Sequence, residues 1–199
     1  MFTDLITLCL AVLVLLGSPG PATLALAGVG AAYGPAGGLP FLSGLLAAVA
    51  IVLLLSAFGV AAMLAAAAPL RILLQVLAAA YILYLALRVY RGAGASESVT
   101  ESKAPGFSDG FILNIINPKA YAAFAAIFAS FGVRHGDPVV SALATAALTF
   151  VLVCMIDFAW LAFGGAFKRI TGDTARGALI RAGFAIMMAA TGLYSLTRL

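Results

Sequence analysis

The sequence predicts an all-α integral membrane protein: six transmembrane helices in two inverted three-helix repeats, with the first and fourth helices interrupted. Three observations predict it. The chain is 64% hydrophobic and 9% charged, against about 25% charged in soluble domains, so it cannot dress a water-facing surface. Apolar runs of about 20 residues, enough for a helix to cross about 30 Å of hydrocarbon, recur along most of its length. One long polar segment, residues 93–105 with Ser96, Glu97, Ser98, Thr100, Glu101, Ser102 and Lys103, divides the chain near its middle. It leaves halves 1–92 and 106–199 within a single transmembrane domain.

The spans in order are 5–29, 39–63, 70–89, 107–131, 139–163 and 177–196. The first lacks the basic flank and short apolar core of a cleaved signal peptide, so it is expected to be retained. It is interrupted at Gly17-Ser18-Pro19-Gly20-Pro21. Between the first and second spans, Gly30, Gly34 and Gly38 have the spacing of close helix contacts, but Pro35 among them argues for a loop. The third span carries Tyr81, Tyr84 and Arg88. The fourth is interrupted at Asn117-Pro118, and the fifth contains Asp157 and Trp160. All six runs are continuous and rich in Ala and Leu rather than alternating, which argues against an outer-membrane barrel.

Three crossings per half mean that a shared fold must be inserted in opposite senses in the two halves. Leu83-Tyr84 with Arg88 near the end of the third span is echoed by Leu193-Tyr194 with Arg198 near the end of the sixth. Paired interruptions of the first and fourth spans are the stronger sign, because such breaks point to a transporter's binding site.

Charge gives orientation. Arg88, Arg91, Lys103, Lys168, Arg169, Arg176 and Arg181 fall on or near one face, against Arg71, Arg134 and Arg198 on the other. By the positive-inside rule both termini then lie outside the cytoplasm. This bias also accounts for the net charge of +4 without a nucleic-acid partner. Cys9 and Cys154 sit inside spans as small buried side chains, and His135 is a loop residue with no metal-ligand spacing around it. No nucleotide-binding loop, zinc motif or nucleophile elbow is present, so no cofactor is called for and an enzyme is the weaker class.

Proline is comfortable as the first residue of a helix that follows a capping residue. Asn117 can therefore cap a half-helix starting at Pro118, and Ser18 or Gly20 can precede one starting at Pro19 or Pro21. Inverted halves bring both amino ends to the midplane, where they favour an anion. Lys119 adds a full positive charge, and a carboxylate is the natural guest. Asn114 and Tyr121 share the face of Asn117 and could line a cavity or hydrogen-bond between helices. Tyr81, Tyr84 and Trp160 are pore-lining candidates, although aromatic residues in membrane helices more often pack or anchor at the interface. Asp157 costs about 2.5 to 3.5 kcal/mol at a helix centre, which the ten Leu, Ile, Val and Phe residues of 143–163 offset. Facing the bundle interior, it could pair with Lys119, bind a substrate ammonium or carry a proton.

Pro19-Gly20-Pro21-Ala22, the run from Gly37 to Gly44, Tyr81-Ile82-Leu83-Tyr84-Leu85 with Arg88, and the Gly-Phe-x-x-Asn-x-x-Asn-Pro-Lys run from Gly110 to Lys119 resemble the LysE/RhtB family of bacterial amino-acid exporters. The resemblance spans nearly the whole chain. It implies a proton-driven inner-membrane exporter of amino acids or close derivatives. Its implied functional positions are Pro19, Gly20, Pro21, Asn117, Pro118, Lys119 and the acidic Asp157. The chain departs from the family pattern at Ala22, Ala79-Ala80 and Ala129-Ser130-Phe131. Expected partners are the bilayer, protons and the substrate, and a homo-oligomer is compatible with the sequence. The alternatives are a metal-ion exporter and a structural or assembly protein of the membrane, in which the paired breaks serve only packing.

Overall fold

A computed structural model describes residues 2–59, 67–91, 104–133, 135–172 and 174–197. Most of the polar segment, residues 60–63 of the second span, Arg134 and Arg198 lie outside the described residues. The helices are α1 (Phe2–Leu15), α2 (Pro21–Ala57), α3 (Ala68–Arg91), α4 (Phe107–Ile115), α5 (Pro118–Ala126), α6 (Pro138–Thr171) and α7 (Ala175–Leu196). Beyond α5 the chain widens into a π-helical turn, Ile127–Phe131. No strand occurs among the described residues. By length and composition four of the helices can each cross a membrane, and five spans result if α4 with the α5 segment is one bent crossing.

Helix α2 is 37 residues long, about 55 Å if straight. It is not straight. Gly34 has φ 77° and ψ 167°, backbone that a side chain would strain. Val29 Cγ1 lies 3.2 Å from where a Cβ on Gly38 would stand, although nine residues of straight helix would separate the two by about 13.5 Å along the axis. The chain therefore doubles back at Gly34, giving two limbs, 21–33 and 35–57, with Pro35 opening the second. The loop expected between the first two spans thus shrinks to a turn at one residue.

Limb 21–33 packs on α6 and limb 35–57 on α4, both through glycine. A Cβ on Gly30 would overlap the Leu161 carbonyl, and one on Gly164 the Ala27 carbonyl. One on Gly44 would strike the Phe107 carbonyl, and one on Gly110 the Phe41 carbonyl. Backbone thus meets backbone in both seams. Lipid tails are as apolar as leucine, so such close packing, rather than escape from water, holds membrane helices together. Helices α3 and α7 run antiparallel, with Gln75 Nε2 donating to the Ser195 carbonyl at 3.2 Å. Large apolar side chains left outside the bundle, such as Val14, Leu179 and Ile186, suit a lipid-facing surface.

One end of the bundle is polar and tied together. Arg88 Nη1 meets Asp109 Oδ2 at 2.9 Å, Tyr81 donates its hydroxyl to Asp109 Oδ1 at 2.9 Å, and the Gly106 N–H donates to Asp109 Oδ2 at 2.7 Å. Tyr33 donates to the Arg88 carbonyl at 3.1 Å, and Lys168 Nζ donates to the Ala32 carbonyl at 3.0 Å beside the Gly34 turn. Arg88 through its carbonyl and Lys168 through its ammonium, two of the cations assigned from sequence to one face, both bond to residues beside the Gly34 turn. Tyr81 serves this network and lines no cavity. Helix α6 outruns its expected end at residue 163 by eight residues, because the apolar window marks the lipid-buried part while Lys168 and Arg169 suit the last turn of a longer helix. Asp109→Asn is expected to lower the melting temperature in detergent by about 4 to 8 °C. Charge-assisted bonds to one carboxylate contribute about 2 kcal/mol together, at about 2 to 4 °C per kcal/mol for this chain length. An unchanged melting curve would refute the assignment.

Candidate functional site

Both breaks form where sequence chemistry demands them. Pro118 has no N–H to donate back into α4, so Asn117 takes extended backbone, φ −80° and ψ 105°, and its side-chain oxygen accepts from the Lys119 N–H at 3.1 Å. At the first break Gly20 precedes Pro21 in extended backbone. Gly20 is the cap position, as one of the two sequence expectations had it, and the Thr23 hydroxyl three residues on accepts from the Gly20 N–H at 2.9 Å. Ser18 is not the cap.

Depth follows from helix length. Limb 21–33 rises about 18 Å from the first break to the polar end, and α4 about 13 Å from that end to the second. Both figures are near half of a 30 Å core. The segments α4 and α5 meet at a 61° bend. Limb 21–33 runs toward the polar end and α5 away from it, so their amino ends face each other.

Lys119 joins the breaks. Its Nζ donates to the Ser18 carbonyl and to Ser18 Oγ, each at 2.9 Å. A Cβ on Gly20 would stand 2.9 Å from the same Nζ, so a side chain there would make the flexible end of Lys119 shift. From α6, Trp160 Nε1 donates to the Gly17 carbonyl at 3.2 Å. Trp160 therefore satisfies the first break's exposed backbone rather than anchoring at the interface. Tyr121 does the same for the second break, donating to the Ile115 carbonyl at 2.9 Å.

A small cavity lies between the breaks, lined by Gly20, Asn114, Asn117, Lys119 and Asp157 among others. Its room for water centres is about 30 Å³, enough for about two waters and short of an amino acid. Pro19, Pro21, Pro118 and Tyr121 shape the breaks without lining it. Asp157 is 4% exposed and its Oδ2 has no hydrogen-bond partner. Asn114 is 3% exposed and its Nδ2 likewise has none. Lys119 and Asp157 share the cavity, yet no ion pair within 4.0 Å joins them, so the fixed pair that sequence reasoning left open does not form. Electrostatically, two helix amino ends and one ammonium meet with a single buried carboxylate. His135 lies apart, in an exposed loop where its Nδ1 accepts from the Asp137 N–H at 3.2 Å.

The model of the LysE type translocator family matches residues 13–198, both breaks and Asp157 included. The chain belongs to that family. An uncharacterized membrane protein of Pseudomonas aeruginosa is 34% identical over 138 residues, 65% of this chain and 64% of its own length. The translocator thus spans just under two thirds of that relative. No solved structure matches it. As a LysE type translocator with several apolar helices, the chain is a multi-pass membrane protein.

Proposed function

We propose that this translocator exports amino acids or close derivatives across the bacterial inner membrane, driven by the proton gradient. The chain crosses six times as two inverted repeats: α1 with limb 21–33, limb 35–57 and α3 form one, and the bent α4–α5 segment, α6 and α7 the other. Both termini lie outside the cytoplasm, a reading supported by the cluster of Arg88 and Lys168 at the polar end. The observation that carries the proposal is the contact of Lys119 with Ser18 beside a buried, unpartnered Asp157. It is a positive, midplane site short of one anion, where a substrate carboxylate fits.

In the mechanism, the carboxylate replaces Ser18 on the Lys119 ammonium, which has three N–H groups and uses two. Asp157 holds the substrate ammonium or the coupling proton. The halves then rock about the site, exposing it to each side in turn. The test is flux in proteoliposomes: with an imposed proton gradient, at least one labelled amino acid should move, and the movement should stop when a protonophore collapses the gradient. Movement that ignores the protonophore would remove the coupling, and movement of no amino acid would remove the function.

Lys119 also links the breaks mechanically, which keeps a purely architectural reading in view. Lys119→Gln separates the two. Export predicts flux about tenfold lower or worse with the melting temperature shifted by no more than about 3 °C, since a polar stem still reaches Ser18. Collapse of the fold would favour architecture.

A further inference from the structure

We infer that the substrate is a zwitterionic amino acid with an uncharged, aliphatic side chain, an assignment that rests on the export reading and narrows it. Two orphaned groups carry it. Asn114 Nδ2 is a donor without an acceptor and Asp157 Oδ2 an acceptor without a donor, both on residues more than nine-tenths buried and both lining the one cavity. Leaving either unmade is costly in a bundle interior. A carboxylate completes Asn114 and an ammonium completes Asp157, so the head group of an amino acid supplies what the pair lacks. Lys119 from the facing side turns the N–H groups released by Ser18 to the same carboxylate.

The rest of the wall is mostly apolar, with Leu16, Leu45, Val49, Phe124 and Val153, and its polar members Thr23 and Asn117 are engaged at the two breaks. Among the lining residues Asp157 is the one acid and Lys119 the one base, and the head group engages both. A cationic side chain would bring a second positive charge with no acid left to meet it, and an acidic side chain a second carboxylate with no cation. Burying either unpaired is strongly unfavourable. Val49 and Val153, together with Leu45, suit a branched hydrocarbon instead.

Proteoliposomes under a proton gradient, offered labelled leucine, lysine and glutamate at equal concentrations, test the assignment. Leucine should move about tenfold faster than either charged amino acid, or more. Lysine or glutamate moving as fast as leucine would overturn the aliphatic assignment while leaving amino-acid export standing. If none of a full amino-acid panel moves although the protein is folded and inserted, export itself fails, and this inference with it. Asn114→Leu should raise the half-saturating leucine concentration about tenfold. Asn114→Asp keeps the shape, sets a carboxylate against the substrate's own, and should lose at least as much. Unchanged half-saturation in either folded variant would overturn the role of Asn114.

Discussion

Asp157→Asn should insert, fold and melt like the parent protein yet lose about 99% or more of its gradient-driven flux. The two halves of that expectation have separate causes. Asparagine copies the shape of aspartate, and replacing a carboxylate at a helix centre relieves the insertion cost of about 2.5 to 3.5 kcal/mol. Because Asp157 makes no ion pair with Lys119 that the substitution would break, the fold loses little. Function loses the one buried group on α6 able to hold an ammonium or release a proton, and a hundredfold fall corresponds to about 2.7 kcal/mol of lost stabilisation. Flux and melting curves on matched amounts of inserted protein decide it. A well-folded Asp157→Asn protein that still transports at the parent rate would end the role assigned to Asp157.

Gly44→Val is the largest expected effect on stability. The new Cβ would meet the Phe107 carbonyl and Cα, which belong to another helix's backbone and cannot rotate away as a side chain can. Relief requires moving α4 off limb 35–57, and α4 carries Asn114 and the second break. A cost of about 3 kcal/mol or more lowers the melting temperature by roughly 6 to 12 °C or prevents accumulation of folded protein. Gly183→Ala in α7 is the matched control. Nothing lies within 4 Å of a Cβ there, and alanine in a helix is favoured over glycine by about 0.5 to 1 kcal/mol. A Gly44→Val protein that melted with the parent would show that the seam can give.

The features legible in the sequence were those with local causes. A proline must break its own helix, and Asn117 caps the next one two residues away, so the second break could be placed to the residue. Apolar length placed the helix starting at Ala68 within a few residues, but not the end of limb 35–57, expected at 63 and found at Ala57, nor the end of α6 beyond Lys168 and Arg169. Partnerships across the bundle were not legible. Ser18 was a candidate cap on local chemistry but serves as the acceptor for Lys119, and Trp160 finds the Gly17 carbonyl across 143 positions. Asp109 gave no hint of gathering Tyr81, Arg88 and the Gly106 N–H, because that grouping exists only once α3 and α4 pack. At Gly34 the reading was right in place and wrong in length: a glycine-rich stretch with a proline reads locally as a loop, and the chain turns there at one residue with helix on both sides.

The distance along the chain between the first break and its partners also sets the order in which the protein can be completed. Until the second half emerges, the Gly17 carbonyl lacks Trp160 and the Ser18 carbonyl has the local Thr23 hydroxyl but not Lys119, 101 positions on. Unsatisfied backbone in hydrocarbon costs several kcal/mol for each group. At about 5 to 20 residues per second, translation reaches Trp160 roughly 7 to 30 s after Gly17. During that interval the first half is a nascent chain with an open break, and the arrival of α5 and α6 both closes it and completes the cavity between the breaks.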